Sequence, residues 1–269
     1  MPEAFRRTFE VVCEPLAARA IRMRQVKKRT AIIGLCGPQG SGKSTIVGAA
    51  KRLLEARGYS TVALSLDDFY LTRDARQRLA REVHPLLATR GPPGTHDVAL
   101  AGAVLEQLRL KGKVNLPRFD KAADNRTPRG GWETVASPVD IVLIEGWCLG
   151  AAAQGAAALR EPVNPLERDE DPKGVWRGYV NEQLDGPYQA LFARLHDLIL
   201  LEAPSFEVVA GWRAEQECKL RERTGAGMSD AEIARFVAHY ERLTRWILSE
   251  MPGRADWVIT LDKDRAPYT

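Results

Sequence analysis

Gly37-Pro38-Gln39-Gly40-Ser41-Gly42-Lys43-Ser44, followed by Thr45, is a complete phosphate-binding loop, and its reading decides the fold. Glycines let a backbone curl until its N–H groups converge, and the N-terminus of a following helix adds the positive end of a dipole. The flanks supply the context that such a loop needs. Ala31-Ile32-Ile33-Gly34-Leu35-Cys36 is an unbroken apolar run that predicts a buried strand, and Ser44 to Arg57 carries Ile46, Val47, Ala50, Leu53 and Leu54 at helical spacing. In this strand, loop and helix unit, residues 37–45 are expected to cradle the phosphates of a nucleoside triphosphate. Lys43 reaches the β- and γ-phosphates, and the Ser44 hydroxyl ligates Mg2+.

Outward from the loop, four further apolar runs read as strands: Thr61 to Leu66, Asp140 to Ile144, Leu198 to Leu201 and Trp257 to Leu261. They are continuously apolar rather than alternating, as strands buried on both faces are, and helical stretches separate them. The expected fold is α/β, of the P-loop NTPase type, with a five-stranded, mostly parallel sheet sandwiched by helices. Gly58 is placed as a helix stop, a helix is expected from about Asp97 to Leu110, and Ser229 with Glu232 has capping-box spacing ahead of another. Two long connections read as loops: Lys111 to Pro138 is polar, and Ala151 to Lys173 is Ala/Gly-rich and then charged, with little helical or strand pattern until Asn181. Before the first strand, Phe5, Phe9, Val12, Leu16, Ala20 and Met23 recur at steps of three and four, which marks an amphipathic helix or a pair of helices broken at Pro15. Residues 1–30 are therefore a basic helical extension, and residues 31–269 one P-loop domain.

Charge placement narrows the partners. Residues 1–30 hold eight Lys/Arg against three Glu, a net +5, so the rest of a chain with net charge +4 sums to −1. A body this neutral is not a general nucleic-acid binder. The basic helical face is expected to be solvated while its apolar stripe packs on the body, so no membrane partner is expected either. No apolar run reaches the length of a membrane span, and the N-terminus lacks a signal core. Cys13, Cys36, Cys148 and Cys218 are scattered without metal-ligand spacing, which fits reduced thiols in a cytoplasmic protein.

Chemistry at a P-loop needs acids where strand ends meet the loop. Asp67 and Asp68 follow the second strand and Glu145 follows the third, so both ends deliver carboxylates to the loop's edge of the sheet. Capping a helix near Thr72 is the competing role for the aspartates. Arg90, Arg118, Lys121, Arg126 and Arg129 crowd the nearby loops, and an arginine fork grips a small carboxylate with both charge and orientation. His96 is expected to stabilise its loop more than to act as a base, and Asp97 to cap the next helix. Between Pro204 and Gly225, Arg213, Lys219, Arg221 and Arg223 are candidates to stabilise developing phosphoryl charge, Arg213 first.

Several stretches together carry a resemblance. They are residues 37–45, Leu64-Ser65-Leu66-Asp67-Asp68-Phe69-Tyr70-Leu71-Thr72, Arg90-Gly91-Pro92-Pro93-Gly94-Thr95-His96-Asp97, Pro117-Arg118-Phe119-Asp120-Lys121 and Glu145-Gly146-Trp147-Cys148-Leu149-Gly150. With Trp212-Arg213-Ala214-Glu215-Gln216-Glu217 and Gly227-Met228-Ser229-Asp230, this chain resembles the plant-type D-glycerate 3-kinases and their fungal and bacterial relatives over nearly all of its length after residue 30. More distantly it is similar to the uridine kinase, phosphoribulokinase and pantothenate kinase group. The resemblance implies transfer of the ATP γ-phosphate to a hydroxyl of a small anionic substrate, D-glycerate, giving 3-phosphoglycerate. It implies that residues 31–269 are a kinase domain with a lid insertion, and that Lys43, Asp67, Glu145 and Arg213 are catalytic. Asp67 then activates the acceptor hydroxyl. Ser44, Asp67 and Glu145 serve the metal, and Asp68, Tyr70, His96, Arg118, Lys121 and Arg126 the acceptor. Asp262 to Arg265 would lie near the adenine. One stretch departs: Ala122-Ala123-Asp124-Asn125-Arg126 stands where such relatives have a Gly-Arg-Gly-Asp-Arg-like run, so Arg126 matches and the glycines do not. Another hydroxy acid, a nucleoside or a pantothenate-like alcohol is the alternative acceptor. An ATP-binding switch read out through the basic helix is the alternative class.

Overall fold

Ala31–Cys36 is buried at every position and forms the central strand, β1, of the sheet, as six apolar residues without polar alternation require. The computed structural model describes residues 3–224 and 227–268. In chain order, helices α1 (Glu3–Thr8) and α2 (Glu14–Lys27) precede β1. Then come α3 (Lys43–Ala56), β2 (Thr61–Ser65), α4 (Arg73–Glu82) and α5 (Val98–Gln107). Four short strands follow, β3 (Gly112–Leu116), β4 (Phe119–Asp120), β5 (Asn125–Arg126) and β6 (Glu133–Ser137), and then β7 (Ile141–Gly146). The remainder is α6 (Pro165–Glu170), α7 (Val175–Gln183), α8 (Gln189–Phe192), β8 (Asp197–Glu202), α9 (Phe206–Thr224), α10 (Asp230–Glu250) and β9 (Trp257–Thr260).

The main sheet has the order β2-β7-β1-β8-β9, and every pairing in it is parallel. Parallel strands need crossovers, and the helices that make them cover both faces of the sheet. One face packs Ile32, Val142 and Leu200 under α5, α8 and α10; the other packs Ile33, Leu143 and Ile199 under α2, α3 and α9. The strand order reverses beside β1, so the loops after β1, β2 and β7 open a crevice at their C-terminal ends.

At the opposite edge lies the N-terminal helix. Leu16, Ala17 and Ala20 are buried against the body, each Leu-sized burial contributing about 1.5–3 kcal/mol. Arg19 pairs with Asp197 at the first residue of β8, and Arg24 with Asp140 just before β7, at 3.0 Å. Part of the basic face is thus used to fasten the helix. Pro15 does not break it: the backbone passes through a π-helical segment, Phe9–Cys13, and Pro15 falls in the first turn of α2, where its missing N–H costs little.

The two connections expected to be loops are built structures. Residues 111–138 contain two antiparallel ribbons, β3 with β6 and β4 with β5. Within 151–183, α6 and α7 bury charges rather than solvating them. Glu167 is held by Arg242, and Asp171 by Arg177, with all but Arg242 buried. Among the described residues, no helix is long and apolar enough to cross a membrane, and Cys13, Cys36, Cys148 and Cys218 are free thiols, the first three buried.

Candidate active site

The phosphate-binding loop leaves β1 at Cys36 and enters α3 at Lys43. Its turn into the helix is made by Gly42, the N-cap residue, at φ +89°, a left-handed conformation that a Cβ would strain. The Ser41 hydroxyl donates to the Pro38 carbonyl at 2.7 Å, and the Lys43 ammonium to the same carbonyl at 2.9 Å, so the lysine is held across its own loop. The Ser44 hydroxyl donates to Oε1 of Glu145 at 2.8 Å. Glu145 lies inside β7, not beyond it, because the strand runs on to Gly146; parallel register sets it beside Leu35 of β1 and Ser65 of β2. A hydroxyl and a carboxylate in contact at the first turn of the loop's helix are hard oxygen donors suited to Mg2+, which keeps most of its waters. Among the described residues, no group of three or more His, Cys, Asp or Glu gathers into a metal site.

After β2 the chain makes a single 3-10 turn, Leu66–Phe69, which Ser65 caps by accepting from the Asp67 N–H. Thr72, not an aspartate, caps α4, which leaves both acids for other work. Asp67 accepts from the Tyr70 hydroxyl at 2.8 Å on one oxygen and from Lys121 at 2.5 Å on the other. Burial alone would raise its pKa; the Lys121 charge and hydrogen bond, with help from Tyr70, outweigh burial and hold the carboxyl below its ordinary value. Asp68 accepts from Arg118 at 3.1 Å, yet burial wins there and its pKa is raised. Two adjacent acids with pKa values pushed apart are suited to different roles.

Two cavities meet at this turn. One, of about 450 Å³, runs along the phosphate-binding loop past Lys43, Ser44, Glu145, Asp68 and Arg118. The other, of about 1060 Å³, opens between α9, α10 and the β4–β5 ribbon, lined by Arg76, Arg90, Asp124, Arg213, Glu217 and Tyr240 among others. Gln39, Asp67, Tyr70, Lys121 and Gln216 line both. Asp67 therefore stands at the junction of a phosphate space and a larger side space.

Among the other expected site residues, Arg118 sits on the phosphate side, shared between Asp68 and Glu133, the latter at 3.1 Å. Lys121 faces both spaces. Arg126 lines neither; it donates to the Tyr70 carbonyl at 3.0 Å and pairs with Asp97, which also caps α5. Arg129 lies over the Trp132 ring. His96 is buried and stacks on the Tyr70 ring with centroids 4.5 Å apart, its Nδ1 sharing a hydrogen bond with the Tyr188 hydroxyl. Burial lowers its pKa to about 4, so it is neutral and holds the wall behind Tyr70. Arg213 pairs with Glu217 at 2.7 Å and covers Phe236 on the lid side of the large cavity. Arg221 turns to Asp230, while the side chains of Lys219 and Arg223 lie outside the described residues. The C-terminal segment reaches the loop: Arg265 donates to the Gly40 carbonyl at 2.8 Å over the Trp212 ring, and Trp212 donates to the Lys263 carbonyl.

Arg76, Tyr240 and Asp124 also belong to the large cavity, although their sequence context did not mark them. Arg76 looks like one of several solvated arginines in α4, and Tyr240 like one rung of the α10 apolar stripe. Tyr240 in fact donates its hydroxyl to the Arg90 carbonyl at 2.9 Å. It occupies the space where a Cβ on Gly91, at φ +127°, would lie, which is why the Arg-Gly-Pro-Pro-Gly turn needs that glycine.

A P-loop on an all-parallel sheet, with Asp67 beyond β2 lining a second cavity beside the loop, is the architecture of the P-loop kinases. The comparisons with known proteins agree. Residues 32–153 match the Phosphoribulokinase / Uridine kinase family. The uncharacterized kinase mug58 of Schizosaccharomyces pombe is 34% identical over 87% of this chain and 86% of its own length. The chloroplastic D-glycerate 3-kinase of Arabidopsis thaliana is 30% identical over 88% of this chain, which spans 53% of the plant protein. The D-glycerate 3-kinase structure from Cryptococcus neoformans superimposes with a TM-score of 0.79 at 22% identity, covering 96% of this chain and 98% of that one, which establishes the shared fold. The chain belongs to one kinase family with mug58, carries a phosphoribulokinase/uridine kinase family domain over residues 32–153, and is a homologue of the D-glycerate 3-kinases.

Proposed function

We propose that this protein is an ATP- and Mg2+-dependent kinase that phosphorylates D-glycerate to 3-phosphoglycerate. The observation that carries the reading is the position of Asp67, at the junction between the space along the phosphate-binding loop and the larger space that holds Arg76, Arg90 and Arg213. ATP lies with its phosphates along residues 37–45, Lys43 against the β- and γ-phosphates. Ser44 and Glu145 are the residues that hold Mg2+, which when bound neutralises phosphate charge. The acceptor binds in the larger space with its carboxylate toward the arginines and its hydroxyl toward Asp67.

The acceptor oxygen then forms a bond to the γ-phosphorus while the bond from phosphorus to the β,γ-bridging oxygen breaks, and ADP leaves. The hydroxyl proton passes to the Asp67 carboxylate, kept ionised by Lys121, and from there to solvent. Tyr70 fixes the orientation of that carboxylate, and buried His96 fixes the Tyr70 ring. Arg213, which lines the large cavity next to the Trp212 that packs against Gly40 of the loop, is the cation assigned to the developing phosphoryl charge. The preference for D-glycerate is supported by the likeness to proteins named for that activity and by the arginines of the large cavity.

The test is steady-state ADP release from Mg2+-ATP with and without D-glycerate. Stimulation that saturates with D-glycerate is expected. No stimulation by D-glycerate, with strong stimulation by a nucleoside or pantothenate-like alcohol, overturns the acceptor assignment while leaving a kinase.

A further inference from the structure

Asp124 occupies the place in the large cavity where a carboxylate ligand would be gripped. It lies at the tip of the β4–β5 ribbon in the left-handed region, φ +50°, which aspartate and asparagine tolerate better than most residues. Its carboxylate pairs with two arginines, Nη2 of Arg76 at 2.8 Å and Nη1 of Arg90. Both guanidinium groups also lie over the Phe119 ring, at 6.0 and 5.8 Å from its centroid. A carboxylate between two guanidinium groups against an aromatic floor is the arrangement by which proteins bind small carboxylic acids.

The two arginines differ in freedom. Arg76 is 1% exposed and donates to the carbonyls of Leu71, Ala88 and Asp124, so it is fixed. Arg90 is anchored through its backbone, where Tyr240 donates to its carbonyl, while its side chain is 26% exposed and lines the cavity. An entering carboxylate can take Arg90 only in competition with Asp124. The other cations that line the cavity are committed too, Lys121 to Asp67 and Arg213 to Glu217, so among the described residues each arginine and lysine lining it is paired with an acid.

We infer that Asp124 is an internal carboxylate that competes with the acceptor for Arg90, and so sets both the affinity and the charge selectivity of the acceptor site. The inference rests on the kinase reading above and names the element that selects its acceptor. A carboxylate at this position weakens binding of any small carboxylic acid and penalises those that cannot also reach Lys121 with their charge or Asp67 with a hydroxyl.

Asp124→Asn keeps size, left-handed tolerance and the backbone carbonyl that Arg76 uses, and removes the charge. The test is calorimetric titration of wild type, Asp124→Asn and the Asp124→Asn/Arg90→Gln double variant with D-glycerate and, separately, with neutral glycerol, in the presence of a non-hydrolysable ATP analogue. Binding of D-glycerate about three- to tenfold tighter in Asp124→Asn, no gain for glycerol, and loss of the gain in the double variant are expected. Unchanged or weaker D-glycerate binding in Asp124→Asn, or no carboxylate binding to any of the three proteins, overturns the inference. Binding reads the subsite apart from turnover. Tighter binding without phosphate transfer supports the competing carboxylate and removes D-glycerate as acceptor, whereas transfer with D-glycerate and no gain in Asp124→Asn keeps the kinase reading and removes the competition.

Discussion

At the phosphate end of the cleft, the groups facing a ligand come from one short stretch and are held by its own backbone: Lys43 and Ser41 both bond to Pro38, and Ser44 reaches one strand across to Glu145. At the acceptor end they come from Asp67, Arg76, Arg90, Lys121, Asp124, Arg213 and Tyr240, and pairs of opposite side-chain charges hold them. The first is a fixed cradle that any member of the class can share. The second can be retuned by a single charge without touching the loop, which is how one fold serves different acceptors.

Substitution at the shared end and at the junction should have the largest effects. Lys43→Ala and Asp67→Asn should each lower turnover at least about 10²-fold with the fold intact by circular dichroism, because charge and positioning terms of this kind are worth about 3 kcal/mol or more. Near-normal rates for Asp67→Asn would remove it as the base and erase the junction on which the comparison stands.

A stability effect of up to about 3 kcal/mol is expected from His96, whose pKa falls from 6.5 to about 4 on burial. The unfolded chain then binds more protons than the folded one between those values, so stability falls as pH drops through that window. His196, also lowered to about 4 by burial and by Arg29, Lys27 and Arg109, adds to the same slope. Replacing His96 by Gln should flatten the curve of unfolding free energy between pH 6.5 and 4 and leave the part owed to His196. An unchanged slope would show that His96 is not held neutral behind Tyr70.

Smaller effects should separate the arginines. Arg90→Gln should raise the acceptor KM about tenfold and leave the ATP KM nearly unchanged. Arg118, placed on the phosphate side with Asp68 and Glu133, was expected from sequence to act on the acceptor. Arg118→Ala should now disturb the acceptor KM less than Arg90→Gln does, and the reverse order would return Arg118 to the acceptor site.

The contrast between the two ends also explains what was legible in the sequence. The loop, its strand and its helix are local, and glycine, lysine and apolar spacing reveal them directly. The strands of the main sheet could be read for the same reason, since burial on both faces leaves continuous apolar runs; the edge strand β9 is only part-buried but keeps the apolar run Trp257-Val258-Ile259. The ribbons in 111–138 escaped because they are two to five residues long and mostly exposed, so the alternation of Val114 and Leu116 in β3 is too short to stand out from a polar loop. The helices α6 and α7 escaped because Glu167, Asp171 and Arg177 look like solvated charge, and the partner that buries Glu167 is Arg242, 75 residues away. Arg76 and Tyr240 were hidden likewise, since a side chain's ligand-facing role at the acceptor end is decided by neighbours from distant elements.

On the proposed function, the two ends of this cleft meet in one transfer to the primary hydroxyl of a small carboxylic acid. Phosphorus NMR of the protein with Mg2+-ATP and D-glycerate tests it most directly. A new phosphomonoester resonance, split as a triplet by the methylene protons of a 3-phosphate and growing in step with ADP, is the predicted result. ADP accompanied only by inorganic phosphate, or a doublet from phosphate on the secondary hydroxyl, would contradict it.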